Sequence, residues 1–136
     1  MHRQPGIATA FILTALLLAL AACTAQQTAS RTVELTTLND SGVTGSAVLT
    51  DLGDGTTQVE VDVDPAGHPN MPAHIHSGTC QNLVPQPIYP LQNVVDGQSE
   101  TVIEVTLDEL FAGDLALNLH FSSADFGTYT ACADLT

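Results

Sequence analysis

Apolar and polar residues alternate along most of the chain from residue 32 onward. The clearest example is "TQVEVDVD" (Thr57–Asp64), in which valine occupies every second position. Successive side chains of a strand point to opposite faces, so this period of two predicts strands with one apolar face. Turn-forming stretches such as "NDSG" and "DLGDGT" separate these segments. The predicted strands are Thr32–Leu38, Val43–Thr50, Thr57–Asp64, the short stretch "PAHIH", Glu100–Leu107, Leu115–Ser122 and Thr128–Leu135.

About seven short strands, with no long helix and no internal repeat, predict an all-β fold. The expected architecture is an antiparallel β-sandwich or flattened barrel. A long proline-containing loop is expected from Ser77 to about Asn93, and one helical turn in "DELFAGD" (Asp108–Asp114).

The first residues have the pattern of an export signal. Arg3 precedes the apolar run Ile7–Leu20, which is too short for a comfortable membrane span of about 20 residues. The run ends in "LAAC", which resembles the bacterial lipobox, where the cysteine receives a diacylglycerol chain. We therefore expect residues 1–23 to be a lipoprotein signal with lipid attached at Cys23, residues 24–31 a polar tether, and residues 32–136 the folded domain. The alternative is an ordinary export signal with an incidental cysteine.

The remaining cysteines, Cys80 and Cys132, are expected to form an internal disulfide, because exported proteins occupy compartments in which disulfides persist. Two free thiols or an intermolecular pair are the alternatives.

The excess of acidic side chains limits the kinds of molecule that the chain is expected to bind. Beyond the signal, Arg31 is the one cationic side chain apart from histidine, against 15 aspartates and glutamates. Such a surface repels nucleic acid and anionic lipid, which leaves a lipid anchor as the expected contact with a membrane. It attracts metal cations, although solubility or a salty habitat would also explain the composition.

Three histidines are candidate metal ligands. His74 and His76 alternate with Ala73 and Ile75, so they share one face of a strand. In "LALNLHF" the leucines form one face, while Ala116, Asn118 and His120 form the other, which we expect to be the outer face. Three imidazoles suit copper or zinc and not calcium or magnesium.

Two further residues flank this group in "GHPNMPAHIH". His68 and Met71 are possible extra ligands, and a thioether would favour Cu(I). Their alternative role is that of ordinary loop residues.

The order of these features resembles that of copper–zinc superoxide dismutases. The stretch "PAHIHSGTC" and the segment from "YPLQNVVDG" to "TYTACADL" are most similar to small exported bacterial domains related to them, often labelled CHRD-type. The resemblance implies a Greek-key β-sandwich, a Cys80–Cys132 disulfide, and His74, His76 and His120 as the three copper ligands that do not touch zinc.

The chain also departs from that pattern. Gln86 stands where the histidine that bridges copper and zinc is expected, and Tyr129 stands in place of the anion-guiding arginine. No histidine lies between His76 and His120, so no zinc site is expected.

Three functions follow from these observations. The first is a membrane-anchored extracytoplasmic domain that binds one copper ion through three histidines, in copper handling or slow redox protection. The second is a true copper-only superoxide dismutase, and the third is a metal-free structural or interaction domain of the CHRD type.

Overall fold

Ten antiparallel strands and one helical turn make up the computed structural model, which describes Met1 and residues 28–136. The predicted signal peptide and the lipid-attachment residue Cys23 lie outside the described residues. No helix in the described part of the chain is long and apolar enough to span a membrane.

The strands follow the alternating pattern of the sequence closely. They are β1 (Ser30–Thr37), β2 (Thr44–Asp51), β3 (Thr57–Asp64), β4 (Asn70–Met71), β5 (Ala73–Thr79), β6 (Asn82–Pro90), β7 (Val94–Val95), β8 (Gln98–Ile103), β9 (Leu115–Ser122) and β10 (Asp125–Asp134). The single helical turn α1 spans Leu107–Leu110, and Thr106 and Glu109 form a capping box at its start. The turn lies where "DELFAGD" predicts one.

The strands form one continuous curled sheet. Their order is β4-β7-β8-β3-β2-β1-β10-β9-β5-β6, and every pairing is antiparallel. Strands β1 and β10 join the two halves through a short ladder, in which Thr36 lies opposite Cys132. The strands form a curled half-barrel with almost no helix, so the predicted all-β antiparallel architecture is confirmed.

The core lies inside the curl and is built from alternate residues of both halves. One half contributes mainly valines, and the other contributes leucine, isoleucine and alanine. Its central members are Val59, Val61, Val63, Met71, Ile75, Leu117, Leu119, Ala131 and Ala133. Because Ile75, Leu117 and Leu119 point inward, the residues next to them in sequence face away from this core.

The segment between Ser77 and Asn93 differs from its prediction as a loop. Strand β5 continues to Thr79, and β6 returns along it as the outermost strand of the sheet. Three prolines, Pro85, Pro87 and Pro90, made this stretch look irregular in sequence. An edge strand tolerates proline because one of its sides has no partner that needs an N–H group, so the prolines are compatible with the strand.

Candidate metal centre

Two neighbouring strands bring the three predicted ligands together. His74 and His76 lie on β5, and His120 lies on β9, the strand paired with β5. In this register His74 is opposite Asn118 and His76 is opposite Ala116. Residues opposite each other share a face, so all three imidazoles project from the same side of the sheet.

The three rings are close enough to share one ion. One nitrogen atom from each ring lies within 4.8 Å of those of the other two. His74 Nδ1 is 2.8 Å from His120 Nε2. The structure therefore brings His120 to two histidines that precede it by more than forty residues in sequence.

Backbone carbonyl groups fix which nitrogen of two rings faces the group. His76 Nδ1 donates to the carbonyl oxygen of Val84 at 2.8 Å, and His120 Nδ1 donates to that of Phe126 at 2.8 Å. A carbonyl oxygen only accepts, so both Nδ1 atoms carry the proton and both Nε2 atoms present a lone pair. Hydrogen bonds of this kind orient histidine ligands in metalloproteins.

His76 Nε2 supplies a direct test of whether a metal fits. This atom is buried and has no hydrogen-bond partner, and its ring has a nitrogen within 4.8 Å of nitrogens of the other two rings. Burial of an unpaired polar atom is unfavourable, so a bound partner for this nitrogen would stabilise the folded protein. A metal cation is a suitable partner, because it would accept electron pairs from all three nitrogens at once.

The sequence does not decide whether the histidine face is open to solvent or covered by the segment from Ser77 to Asn93; the structure covers most of it and leaves His74 partly exposed. His76 is 1% exposed, Asn118 is 0% exposed and His120 is 3% exposed. The cover comes from the β5–β6 hairpin, whose register shifts so that residues 84–86 bulge opposite Ser77. Gly78 permits this return, because at a φ of +97° any side chain there would collide with the backbone of Asn82.

The rim of the site is apolar and aromatic. Pro85, Pro87, Phe126 and Tyr129 surround the histidines. The Phe126 ring stacks on that of His74 with centroids 5.9 Å apart, and the Tyr129 ring meets that of His120 edge-on at 5.2 Å. None of these four side chains carries a charge at neutral pH, so the rim offers no charged group to an anion.

The surroundings keep the imidazoles of His74 and His120 neutral. Burial, with a smaller contribution from the neighbouring His120 and His76 rings, lowers the pKa of His74 from 6.5 to about 4. Burial also lowers the pKa of His120, although the Phe126 carbonyl and the Asp125 carboxylate partly oppose this. Neutral imidazole is the form that binds metal, so near pH 7 protons do not compete with an ion at these two residues.

The low pKa of His74 predicts how the metal-free protein responds to acid. In the unfolded chain this imidazole takes up its proton near pH 6.5, whereas in the folded protein it does so near pH 4. Between these values the unfolded state binds more protons, so the stability contributed by His74 is complete above pH 6.5 and is lost as the pH falls towards 4. Denaturant unfolding of the metal-free protein and of His74→Gln, measured across this window, isolates that contribution. Parallel pH dependence in the two proteins would contradict the pKa assignment.

A disulfide ties the covering hairpin to the sheet. Cys80, in the turn between β5 and β6, is bonded to Cys132 of β10, with the two Cα atoms 5.8 Å apart. The backbone N–H of Cys80 also donates to the side chain of Asp134 at 2.6 Å. Cys132 lies opposite Asn118 in the register of β10 and β9, so the cross-link is fixed beside the histidine face.

The structure does not bring His68 and Met71 into the group. Met71 is fully buried in the core, where its sulfur lies 3.3 Å from the hydroxyl of Thr130. The His68 ring packs edge-on against Phe121 with centroids 4.9 Å apart, in a separate hollow at the end of β9. Among the described residues, the group of potential metal ligands therefore consists of His74, His76 and His120.

The curled antiparallel sheet matches the β-barrel fold of the copper–zinc superoxide dismutase type. A solved structure to which it is similar is superoxide dismutase 5 from Candida albicans, determined as a point mutant. The TM-score is 0.56 at 21% sequence identity, and the match covers 76% of this chain and 88% of that chain. No protein-family model and no curated protein matches the chain. At this identity the similarity shows the fold alone.

Proposed function

We propose that the chain is an exported lipoprotein whose domain binds one copper ion through His74, His76 and His120, in copper handling or slow redox protection. The observation that carries this proposal is the set of three ring nitrogens within 4.8 Å of one another, of which His76 Nε2 is buried without a partner. Bound copper would supply one-electron redox chemistry. The residues of the chain would hold it, and burial, which lowers the pKa of His74 and of His120, keeps these two imidazoles unprotonated.

Ligand chemistry supports copper over other ions. Imidazole nitrogen binds copper and zinc well, whereas calcium and magnesium prefer oxygen ligands. Among divalent ions of the first transition row, copper forms the strongest complexes with a given set of nitrogen ligands. A second site for zinc is not part of the proposal, because the stretch between His76 and His120 contains no histidine.

The proposed location is the outer face of a membrane, in the periplasm or at the cell surface. The Cys80–Cys132 disulfide fits an oxidising compartment outside the cytoplasm. Lipid at Cys23 would provide the anchor, because a diacylglycerol group gives the two acyl chains that stable attachment requires. The corresponding division is a signal peptide over residues 1–23, a tether over 24–31 and the folded domain over 32–136.

Charge weighs against rapid turnover of superoxide. Superoxide is an anion, and fast enzymes concentrate such substrates with a positive local potential. Beyond the proposed signal, the chain has 15 acidic side chains and one non-histidine cation, Arg31, whose guanidinium lies over the ring of Phe111. With Tyr129 beside His120 in place of an arginine, the site has no local charge that would attract an anion.

A true copper-only superoxide dismutase is the second candidate. The observation that favours it is the similarity of fold to a superoxide dismutase. A metal-free interaction domain of the CHRD type is the third, and it would use the sandwich and the disulfide without the histidines.

Titration of the purified protein with Cu(I), Cu(II) and Zn(II), followed by superoxide-decay assays across ionic strength, separates these functions. We expect one copper bound per chain, with superoxide decay no faster than that produced by the same concentration of copper in buffer. Decay that is faster than buffer copper and abolished by His120→Ala would establish the dismutase instead. Binding weaker than micromolar, unaffected by replacement of the histidines, would leave the metal-free domain.

A further inference from the structure

Asn118 lies in the middle of the histidine face. It is opposite His74 of β5 on one side and opposite Cys132 of β10 on the other. His120 is two residues further along the same strand, and His76 is diagonally across on β5. Directly opposite residues in an antiparallel pair have Cβ atoms about 5 Å apart, and diagonal neighbours about 7–8 Å. The side chain of Asn118 therefore projects from the same face of the sheet as the three imidazoles.

The amide of Asn118 is buried without a hydrogen-bond partner. The residue is 0% exposed, and neither its Oδ1 nor its Nδ2 is hydrogen-bonded. Among the described residues, the other unpaired buried side-chain atoms are His76 Nε2 on this face and Ser99 Oγ on β8, in the other half of the sheet, whereas two buried threonines are satisfied. The Thr57 hydroxyl donates to the carbonyl of Val105 at 2.8 Å, and the Thr130 hydroxyl donates to that of Leu119 at 3.2 Å. The unpaired polar atoms of Asn118 and His76 thus lie on the same covered face.

A buried amide without hydrogen-bond partners is unfavourable unless it interacts with a bound ion or molecule. Two unpaired amide atoms in a buried position destabilise the fold, and leucine would fill a similar volume without that penalty. Polar side chains that are buried without partners break the usual rules of packing, and such exceptions are expected at functional sites. An amide suits a metal centre, because its oxygen accepts and its nitrogen donates, so the same side chain interacts with a cation or with a water molecule held on it.

We propose that Asn118 is a further positioning residue of the metal centre, whose amide contacts the bound ion directly or through one water molecule. This inference rests on the proposed function, since it requires that the three histidines bind a metal. It adds a polar group on the buried side of the site, whereas the rim consists of proline and aromatic side chains.

The test compares Asn118→Leu and Asn118→Asp with Thr130→Val, all with Cu(II) as the probe. Thr130 is a matched control because it is also buried and polar, but it bonds to the core side of the same strands. We expect Asn118→Leu to shift the Cu(II) electron paramagnetic resonance and visible spectra. It should also lower Cu(II) affinity by about 10-fold or more, the usual effect of removing a group that supports a metal site. Thr130→Val should leave both spectra and affinity as in the wild type.

Stability measurements on the metal-free variants separate this role from a structural one. The Asn118→Leu protein should be at least as stable as the wild type, because unpaired buried atoms have been removed. If the Asn118→Leu protein does not fold, the Asn118→Asp protein is used instead. The Asn118→Asp protein should bind Cu(II) with changed spectra.

The outcomes distinguish this inference from the proposed function. Unchanged spectra and an affinity within about twofold of wild type in a folded Asn118→Leu protein would overturn the role of Asn118 and leave the histidine site intact. Absence of copper binding by the wild type would overturn both.

Discussion

Replacing Cys80 and Cys132 together with serine is expected to lower the free energy of unfolding by about 4 kcal/mol. The disulfide joins residues 52 positions apart, and its loss restores the conformational freedom of that long loop in the unfolded chain. A domain of this size is typically stable by about 5–15 kcal/mol, so the loss is a large fraction of the total. Urea unfolding of the double variant and of the wild type, both without metal, measures the difference.

The wild-type protein treated with a reductant provides the matched control for this experiment. Reduction should reproduce the loss seen in the double variant, since both remove the same covalent bond. A double variant as stable as the oxidised protein would show that the cross-link contributes nothing to stability, contrary to this expectation.

Replacing His120 with alanine is expected to reduce copper affinity by more than about 100-fold. Changing a residue that only supports a metal ligand typically costs 10- to 100-fold, so loss of a ligand should cost more. Isothermal titration or competition with a chromophoric chelator measures the affinity. Circular dichroism of the metal-free variant checks that the β-sheet is retained.

His68→Ala is the appropriate control for the His120 variant. His68 is a histidine of the same domain, yet its ring packs on Phe121 outside the three-histidine group. Its replacement should leave copper affinity within about twofold of the wild type. Equal losses in the two variants would indicate that copper binds imidazoles of this protein without regard to the site.

The fold was accessible from the sequence because its strands obey a simple alternation. In Thr57–Asp64 the valines at positions 59, 61 and 63 are all buried, and the polar residues between them face outward. The same rule placed His74 and His76 on one face and separated His120 from the leucines around it. Local pattern therefore predicted which residues share a face.

Local pattern did not predict what covers that face. The bulge over residues 84–86 depends on how β6 folds back along β5. The prolines of β6 are atypical of a strand, so the sequence pattern predicts a loop there. The carbonyl groups of Val84 and Phe126, which fix the tautomers of His76 and His120, belong to residues whose side chains give no sign of that role. Main-chain contacts of this type arise from tertiary structure and leave no trace in residue identity.

Asn118 shows a second limit of prediction from local sequence, since residue identity does not indicate burial. Its polar character within "LALNLHF" was visible in sequence, and alternation placed it with His120. Polarity places it on the outer face without deciding whether that face is open, and the structure buries the residue completely. Burial distinguishes an ordinary surface asparagine from one that needs a partner, and only the assembled sheet reveals it.

The outermost position of β6 has a consequence for aggregation. An unpaired edge strand is a template onto which another chain can add, which leads to aggregation. Pro85, Pro87 and Pro90 remove three N–H groups from the nine residues of this strand, and such prolines are a common means of blocking strand addition. Chains at high local concentration are therefore not expected to pair through β6, the strand that lies beside the histidine face.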